Sequence, residues 1–365
     1  QFINVIGNKY MYKLYFTILI IISTILTQTY HFTDTPNQDE SFTTADFSIY
    51  IDDDIDTIKG IYAYMHGFGG DSRSIIQDSI MIDLAKSIDF ALMGVRLDNM
   101  HMDSGIGNSL IEAKSYFSDE SNHIELQYSP IFFDGYSWGG QWSYHYTEWN
   151  PDDVIAFITM KGGYHDTTYS ANAINVPGYM FVGEYDSDYR IDNLTNIFLK
   201  HRSDGALWTL AMEPNAGHSR VNDRALINSF LFDIIEKRLP NSFNINEPIV
   251  LSELIEYNGF LGNRANYEIF NHNCYEFNLD TLSWMINMSN AQYWQSFVSA
   301  NTQSTIIDFC YLGDIDFDGT ITVSDLLLSL NYILSSNYNT YADMNYNQSN
   351  NIQDILILIQ IILNA

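Results

Sequence analysis

Apolar runs and helical patterns alternate along the chain from about residue 45 to residue 240. Short apolar runs bounded by turn residues predict buried strands, and longer amphipathic stretches predict helices. The predicted strands are residues 47–51, 60–65, 90–97, 130–133, 154–160, 178–182 and 207–212. The predicted helices are residues 75–88, 110–117, 139–149, 193–201 and 224–238. This alternation predicts a doubly wound, mostly parallel α/β sheet.

The N-terminal segment has the pattern of an export signal. Lys13 precedes an uncharged apolar run at residues 14–26, and polar residues follow the run. Because a bilayer-spanning helix needs about 20 apolar residues, the run predicts a secretory signal peptide, with a membrane anchor as the alternative. We divide the chain into upstream and signal residues 1–29, an α/β domain at residues 30–310 whose residues 242–308 form a less regular extension, and a C-terminal module at residues 311–365.

The C-terminal module contains an internal repeat. Asp343 and Asp354 follow Asp314 and Asp325 by 29 residues each, and an apolar helical pattern follows each pair. The first copy places oxygen-bearing side chains at positions 1, 3, 5, 7, 9 and 12 of a loop with glycine at position 6, which is the pattern of a calcium loop. The predicted calcium ligands are Asp314, Asp316, Asp318, Thr320, Thr322 and Asp325 in the first copy, and Asp343, Asn345, Asn347, Ser349, Asn351 and Asp354 in the second.

The second copy departs from this pattern. Asn347 replaces an acidic ligand, Gln348 replaces the glycine, and Asn350 replaces an apolar residue. Fewer carboxylates and a strained turn predict weaker calcium binding there, so the second loop either binds calcium poorly or serves as a packing partner. Each loop is followed, and not preceded, by its helix.

Composition narrows the possible partners. The 365 residues carry 16 Lys and Arg against 45 Asp and Glu, a net charge of −29, which argues against nucleic acid and anionic lipid surfaces. The two cysteines, Cys274 and Cys310, can form one bridge at most. Export predicts that they are paired in a disulfide.

A pentapeptide of the form G-x-S-x-G lies between a predicted strand and a predicted helix. It runs from Gly135 to Gly139 with Ser137 at its centre. A sharp strand-to-helix turn in this position lifts a serine oxygen above the sheet, where it can act as a nucleophile. The sequence His66 to Gly70 follows another strand and predicts one backbone N–H of an oxyanion hole at Phe68, with the second N–H at Trp138.

Two further chemical groups follow later strands. Asp186 comes after the strand at residues 178–182 and is the preferred acid, with Glu184 and Asp188 as rivals. His218 comes after the strand at residues 207–212 and is the preferred base. The order serine, acid, histidine is the one expected in this architecture. The other candidate bases are His66, which we expect to brace its loop, His165, which precedes the acid, and His201, which lies in a helix.

The segments MHGFGGDS, GYSWGGQW, MKGGYHDT, GEYDSDYR and AGHSR resemble the α/β-hydrolase family, and in particular secreted esterases related to polyhydroxyalkanoate depolymerases and feruloyl esterases. The resemblance covers roughly residues 50–298. It implies a serine hydrolase that cleaves carboxylic esters, of the polysaccharide-linked acyl, feruloyl or polyester type, through an acyl-enzyme formed on Ser137, with no cofactor for catalysis. A serine peptidase of the same fold and a non-catalytic binding protein are the alternatives.

The C-terminal repeat resembles a dockerin. The resemblance implies a small all-α module that holds calcium and docks onto a cohesin module of a scaffold or cell surface. A calcium-stabilised cap without a partner is the alternative. Together with the export signal, the module predicts a secreted, extracellular protein that is attached to a scaffold or cell surface and has no membrane contact after signal cleavage.

Overall fold

The computed structural model describes residues 28–168, 170–272, 279–300, 312–316, 320–345 and 347–364. The sequence predictions for the signal segment, for Cys274 and Cys310, and for the calcium ligand Asp318 lie outside these residues. Within the described ranges, no helix is both long enough and apolar enough to cross a membrane.

Eight strands form the main sheet. They are β1 (Thr29–Asp34), β2 (Ala45–Tyr50), β3 (Gly60–Met65), β4 (Phe90–Leu97), β5 (Ile131–Tyr136), β6 (Val154–Met160), β7 (Gly178–Gly183) and β8 (Trp208–Glu213). Their order is β1-β2-β4-β3-β5-β6-β7-β8. The strands from β3 to β8 are parallel, whereas β2 is antiparallel to both β1 and β4. This mixed, mostly parallel sheet is the α/β-hydrolase fold, as the sequence predicts.

Helices cover both faces of this sheet. They are α1 (Ser79–Ser87), α2 (Ile106–Ser121), α3 (Trp138–Trp149), α4 (Asp188–Arg202) and α5 (Arg224–Arg238). The core on one face joins α2, α3 and α4 to the sheet, and the core on the other face contains α1 and α5. The predicted helix at residues 75–88 is in fact a short 3₁₀ turn, Arg73–Gln77, followed by α1. Asp78 causes this break, since its side chain caps α1 by accepting the N–H groups of Ile80 and Met81.

The segment after α5 folds back onto the sheet. It contains a three-stranded sheet of β9 (Phe260–Gly262), β10 (Ile269–Asn271) and β11 (Ser283–Met285), followed by α6 (Met288–Val298). Its large aromatic side chains, Trp284 and Trp294, are almost completely buried in the same core as α5. The hydroxyl of Ser283 donates to the carbonyl of Leu210 over 2.9 Å, which ties this extension to the last strand of the main sheet.

The C-terminal module has two loop-and-helix units. The helices are α7 (Val323–Ser335) and α8 (Ile352–Asn364), and they pack against each other. The N–H of Gly313 donates to the carbonyl of Tyr341 over 2.9 Å, which joins the start of the first unit to the start of the second. A capping box between Thr322 and Asp325 begins α7. The module is therefore helical, as the repeat pattern predicts.

Candidate active site and calcium loops

Three side chains meet at the edge of the sheet formed by the carboxyl ends of the parallel strands. Ser137 follows β5 directly, Asp186 lies three residues after β7, and His218 lies in the loop after β8. Because parallel strands present their carboxyl ends at one edge, residues far apart in sequence come together there.

The turn that carries Ser137 is sharp and strained. Ser137 has φ 53° and ψ −120°, a backbone conformation that residues other than glycine rarely adopt. The glycines two residues before and two residues after it allow the turn because they lack side chains. A Cβ on Gly139 would lie 2.4 Å from the carbonyl oxygen of His66, and a Cβ on Gly135 would lie 2.6 Å from the Cα of Gly140. The two glycines therefore let α3 begin close against β3 and β5.

His218 connects Ser137 to Asp186. Its Nε2 lies 3.0 Å from the Oγ of Ser137, and its Nδ1 lies 3.0 Å from Oδ2 of Asp186. The Asp186 carboxylate is almost fully buried, whereas the imidazole is partly open to solvent. A base that can reach both a serine hydroxyl and a carboxylate is the arrangement needed to activate a serine nucleophile.

Asp186 accepts more than one hydrogen bond. Its Oδ1 accepts the N–H of Ser187 over 2.7 Å and a guanidinium N–H of Arg190 over 2.9 Å. Burial opposes ionisation of this carboxyl, but the hydrogen bonds from His218, Ser187 and Arg190 outweigh burial, so the pKa of Asp186 is lowered. The carboxylate therefore remains charged beside the imidazole at neutral pH. Arg190 therefore helps to keep Asp186 ionised, a role that no sequence motif predicts.

The rival acids have other positions. Glu184 accepts the backbone N–H of Asn215 over 2.6 Å, so it holds the loop that precedes His218. Asp188 is the first residue of α4. Neither contacts His218 among the hydrogen bonds of the described residues, and Asp186 does.

The rival bases are engaged elsewhere. His66 accepts the N–H of Leu97 at Nε2 over 3.1 Å, and its Nδ1 lies 2.5 Å from the carbonyl of Gly67. It braces the loop at residues 66–70, as expected. His165 is buried between Thr159 and Asn193, and burial lowers its pKa to about 3. His201 is buried in α4.

The segments that carry the two predicted oxyanion donors lie next to Ser137, since a Cβ on Gly67 would lie 3.7 Å from the Cβ of Ser137 and Trp138 follows it in the chain. Trp138 is the first residue of α3, so its backbone N–H has no acceptor within the helix. Phe68 lies in the turn closed by a hydrogen bond from the N–H of Gly70 to the carbonyl of Gly67. The rings of His66 and Trp138 stack 5.5 Å apart, which joins the two donor segments. A cavity of about 250 Å³ begins beside them and is lined by Phe68, Arg96, Asp98 and Trp138 among others.

The first calcium loop gathers carboxylates. Oxygens of Asp314, Asp316 and Asp325 lie within 4.8 Å of one another, and Asp314 and Asp325 are fully buried. A cation between carboxylates this close relieves their mutual repulsion, so the donor set fits calcium, a cation that prefers several oxygen ligands. Thr320 and Thr322 are also in this loop, and Thr322 caps α7.

The second loop has a similar frame with fewer charges. Asp354 accepts the N–H groups of Asn345 and Asn351 over 3.2 Å and 2.8 Å, and Asp343 accepts those of Asn347 and Gln348 over 3.1 Å and 2.7 Å. Gln348, which occupies the position of the glycine, has φ 61°. The strained turn that the sequence predicts is therefore present. Ser349 lies in the same loop.

Comparison with known families identifies this C-terminal segment. Residues 312–363 match the Dockerin type I domain. The match covers the two loop-and-helix units and leaves the α/β domain unassigned. No curated protein matches the chain by sequence.

The α/β domain is similar in fold to several solved hydrolases. An acetyl xylan esterase from Aspergillus awamori is 11% identical, with a TM-score of 0.41 over 56% of this chain and 99% of that one. A ferulic acid esterase is 12% identical, with a TM-score of 0.38 over 53% and 92%. Poly(aspartic acid) hydrolase-1 from Sphingomonas sp. KT-1 is 14% identical, with a TM-score of 0.38 over 54% and 95%.

Proposed function

We propose that the α/β domain is a serine hydrolase of carboxylic esters. The observation that carries the proposal is the position of His218, which lies 3.0 Å from the Ser137 hydroxyl oxygen on one side and 3.0 Å from the Asp186 carboxylate on the other. The strained turn at Ser137 and the two N–H groups beside it supply the remaining parts of an acyl-transfer site.

The reaction has two halves. Ser137 Oγ attacks the ester carbonyl while His218 Nε2 takes the serine proton, and the negative carbonyl oxygen is stabilised by the N–H groups of Phe68 and Trp138. Collapse expels the alcohol, which receives its proton from His218 and leaves an acyl-serine. Water then attacks this ester with His218 again as base, and the carboxylic acid is released. Asp186 orients the imidazole and stabilises its charged form.

Two measurements test this activity. Ser137→Ala should abolish hydrolysis and labelling by a fluorophosphonate, because no other group can form the acyl-enzyme, while circular dichroism remains unchanged. A non-catalytic binding protein would not react with the probe. An ester and amide panel of acetylated xylan, feruloylated sugars, short polyesters and peptides then identifies the substrate, and a preference for amides would indicate the peptidase alternative.

We propose that the C-terminal module attaches this hydrolase to a cohesin module of an extracellular scaffold. The match of residues 312–363 to the Dockerin type I domain supports this proposal. When calcium is bound, it neutralises the clustered carboxylates of Asp314, Asp316 and Asp325 and so fixes the loop from which α7 begins. Titration of the full-length protein with a recombinant type I cohesin should show binding with calcium and none with a chelator. Binding that is absent in both conditions across a set of such cohesins would favour a cap without a partner.

A further inference from the structure

His218 lies on a loop that has no regular secondary structure. The loop runs from the end of β8 at Glu213 to the start of α5 at Arg224. Proton transfer requires the imidazole to stay within a fraction of an ångström of its productive position, and an irregular loop does not provide this by its backbone alone. Side chains on both sides of His218 therefore have to hold it.

Arg220, two residues after His218, reaches under the loop to a buried carboxylate on β5. Its Nη2 lies 2.6 Å from Oδ1 of Asp134, whose side chain is completely buried. The other oxygen of Asp134 accepts the hydroxyl of Tyr62 over 2.7 Å and lies 3.6 Å from Nη1 of Arg224, the first residue of α5. The guanidinium also lies 3.8 Å from the ring centre of Tyr64. The Arg220 side chain thus contacts both β3 and β5.

Asp134 is also close to Ser137 in the chain, three residues before it on the strand that carries the nucleophile. One ion pair therefore links the segment that bears the base to the segment that bears the serine. The loop has further attachments at the same place, because the hydroxyl of Tyr136 donates to the carbonyl of His218 over 3.0 Å. Buried Lys161 forms an ion pair with Glu213 and lies 3.3 Å from the hydroxyl of Ser219.

We propose that Asp134 and Arg220 are a positioning pair that fixes His218 against Ser137. This inference rests on the proposed function. A buried ion pair contributes little net stability, because the cost of removing both charges from water is close to the gain from their attraction. A pair that joins the two catalytic segments instead defines the distance between them, and stability and catalysis should respond differently to its removal.

The test compares this pair with a matched pair elsewhere in the same protein. Lys114 and Asp153 also form a buried ion pair, 2.5 Å long, and Asp153 also accepts a tyrosine hydroxyl, from Tyr146. Asp153 precedes β6, at the sheet edge opposite Ser137. The full-length variants are Arg220→Gln, Asp134→Asn/Arg220→Gln, Arg220→Lys, Lys114→Gln and Lys114→Gln/Asp153→Asn.

Single and double variants should separate the two effects. Arg220→Gln should lower kcat about 100-fold with little change in KM, as expected for a small displacement of a catalytic group. It should also lower Tm, because Asp134 loses its closer ion-pair partner and keeps only Arg224 at 3.6 Å. The double variant should recover part of Tm but not kcat, because it removes the buried carboxylate and leaves only the partly exposed Arg224 without an ion pair. Arg220→Lys should restore part of kcat. The variants of the Lys114 pair should change Tm and leave kcat near that of the unmodified protein.

A proton NMR readout makes the test independent of the substrate. The Nδ1 proton of His218 shared with Asp186 should give a low-field resonance, assigned by its loss in His218→Gln. It should broaden or disappear in Arg220→Gln and in the Asp134→Asn/Arg220→Gln double variant, and remain in the Lys114 variants. Recovery of kcat together with Tm in the double variant, or an unchanged resonance, would overturn the inference. Full activity in Ser137→Ala would instead overturn the proposed function.

Discussion

Asp186 differs from Glu184 and Asp188 because its side chain points toward His218. All three acids follow β7, but only Asp186 reaches His218, and Glu184 instead holds the N–H of Asn215. The sequence narrows the acid to three residues because each follows a strand that ends at the site. It cannot select one, since that depends on how the turn after Gly183 aims each side chain.

Amide substitutions at these three acids should therefore have unequal effects. Asp186→Asn should lower kcat by about 10⁴-fold, because the amide no longer selects the required imidazole tautomer. Glu184→Gln should cost less, since an amide oxygen still accepts the N–H of Asn215, and Asp188→Asn should be close to neutral. The measurement is kcat at neutral pH on one ester, with Tm as the control for folding. A larger loss at Glu184 or Asp188 would transfer the role of the acid to that residue.

Glu148 is a buried carboxyl that the proposed reaction does not use. Burial, with a smaller contribution from Asp166, outweighs a hydrogen bond from Ser170 and raises the pKa of Glu148 from 4.5 to about 7. The unfolded chain releases this proton at lower pH than the folded chain does. Glu148 therefore opposes folding increasingly as pH rises from about 4.5 to 7, by up to about 3 kcal/mol.

Glu148→Gln removes this ionisation and should reveal the effect. Compared with the unmodified protein, the variant should gain little or no stability at pH 5 and become clearly more stable at pH 8. Denaturant unfolding at both values measures the difference, and comparing the two proteins at each pH cancels the titration of groups that do not contact Glu148. A difference in stability that is the same at both pH values would show that Glu148 ionises normally in the folded chain.

The apolar pattern predicted strands accurately where both faces of the strand are buried. The predicted strands 60–65, 90–97 and 154–160 coincide with β3, β4 and β6, all of which lie inside the sheet. The edge strand β1 was not predicted, because Thr29–Asp34 is a half-exposed segment of mixed polarity whose register is set by pairing with β2. Strands β9, β10 and β11 have three residues each, too few to show a period.

Site residues could be predicted from the sequence only where a local motif marks them. Ser137 and His218 could be proposed from local motifs, because each motif follows its own strand. The link between Asp134 and Arg220 could not, since these residues are 86 apart in sequence and no local pattern joins them. Such contacts depend on which strands become neighbours in the sheet.

The close packing of α3 against the loop after β3 can be tested at Gly139. Gly139→Ala would place a methyl group 2.4 Å from the carbonyl oxygen of His66, and backbone atoms cannot move aside as a flexible side chain can. The helix should shift away from the loop that carries Phe68, so that kcat falls strongly and Tm falls with it. Kinetics and thermal unfolding of the purified variant measure both. Wild-type kcat in this variant would mean that the two oxyanion donors do not need this close approach.

The proposed catalytic residues and the proposed calcium ligands lie in separate parts of the chain. Every residue of the proposed catalytic group precedes Val221, and every proposed calcium ligand follows Leu312. Calcium removal should therefore unfold the C-terminal module without lowering hydrolysis. An activity that is lost when a chelator is added, and restored by calcium, would place a functional metal in the α/β domain.

The two calcium loops should contribute unequally to that stabilisation. Position 12 is a buried Asp in each loop, but the first loop has four carboxylates and the second has two, and Gln348 at φ 61° strains the second. Asp325→Asn should therefore remove most of the calcium-induced rise in the unfolding temperature of the module, and Asp354→Asn should remove less. Gln348→Gly should strengthen the second site, because glycine adopts positive φ without strain. Calorimetric calcium titrations of the three full-length variants measure the order of their calcium affinities. An equal loss of calcium binding in the two Asn variants would show that the number of carboxylates does not govern calcium binding here.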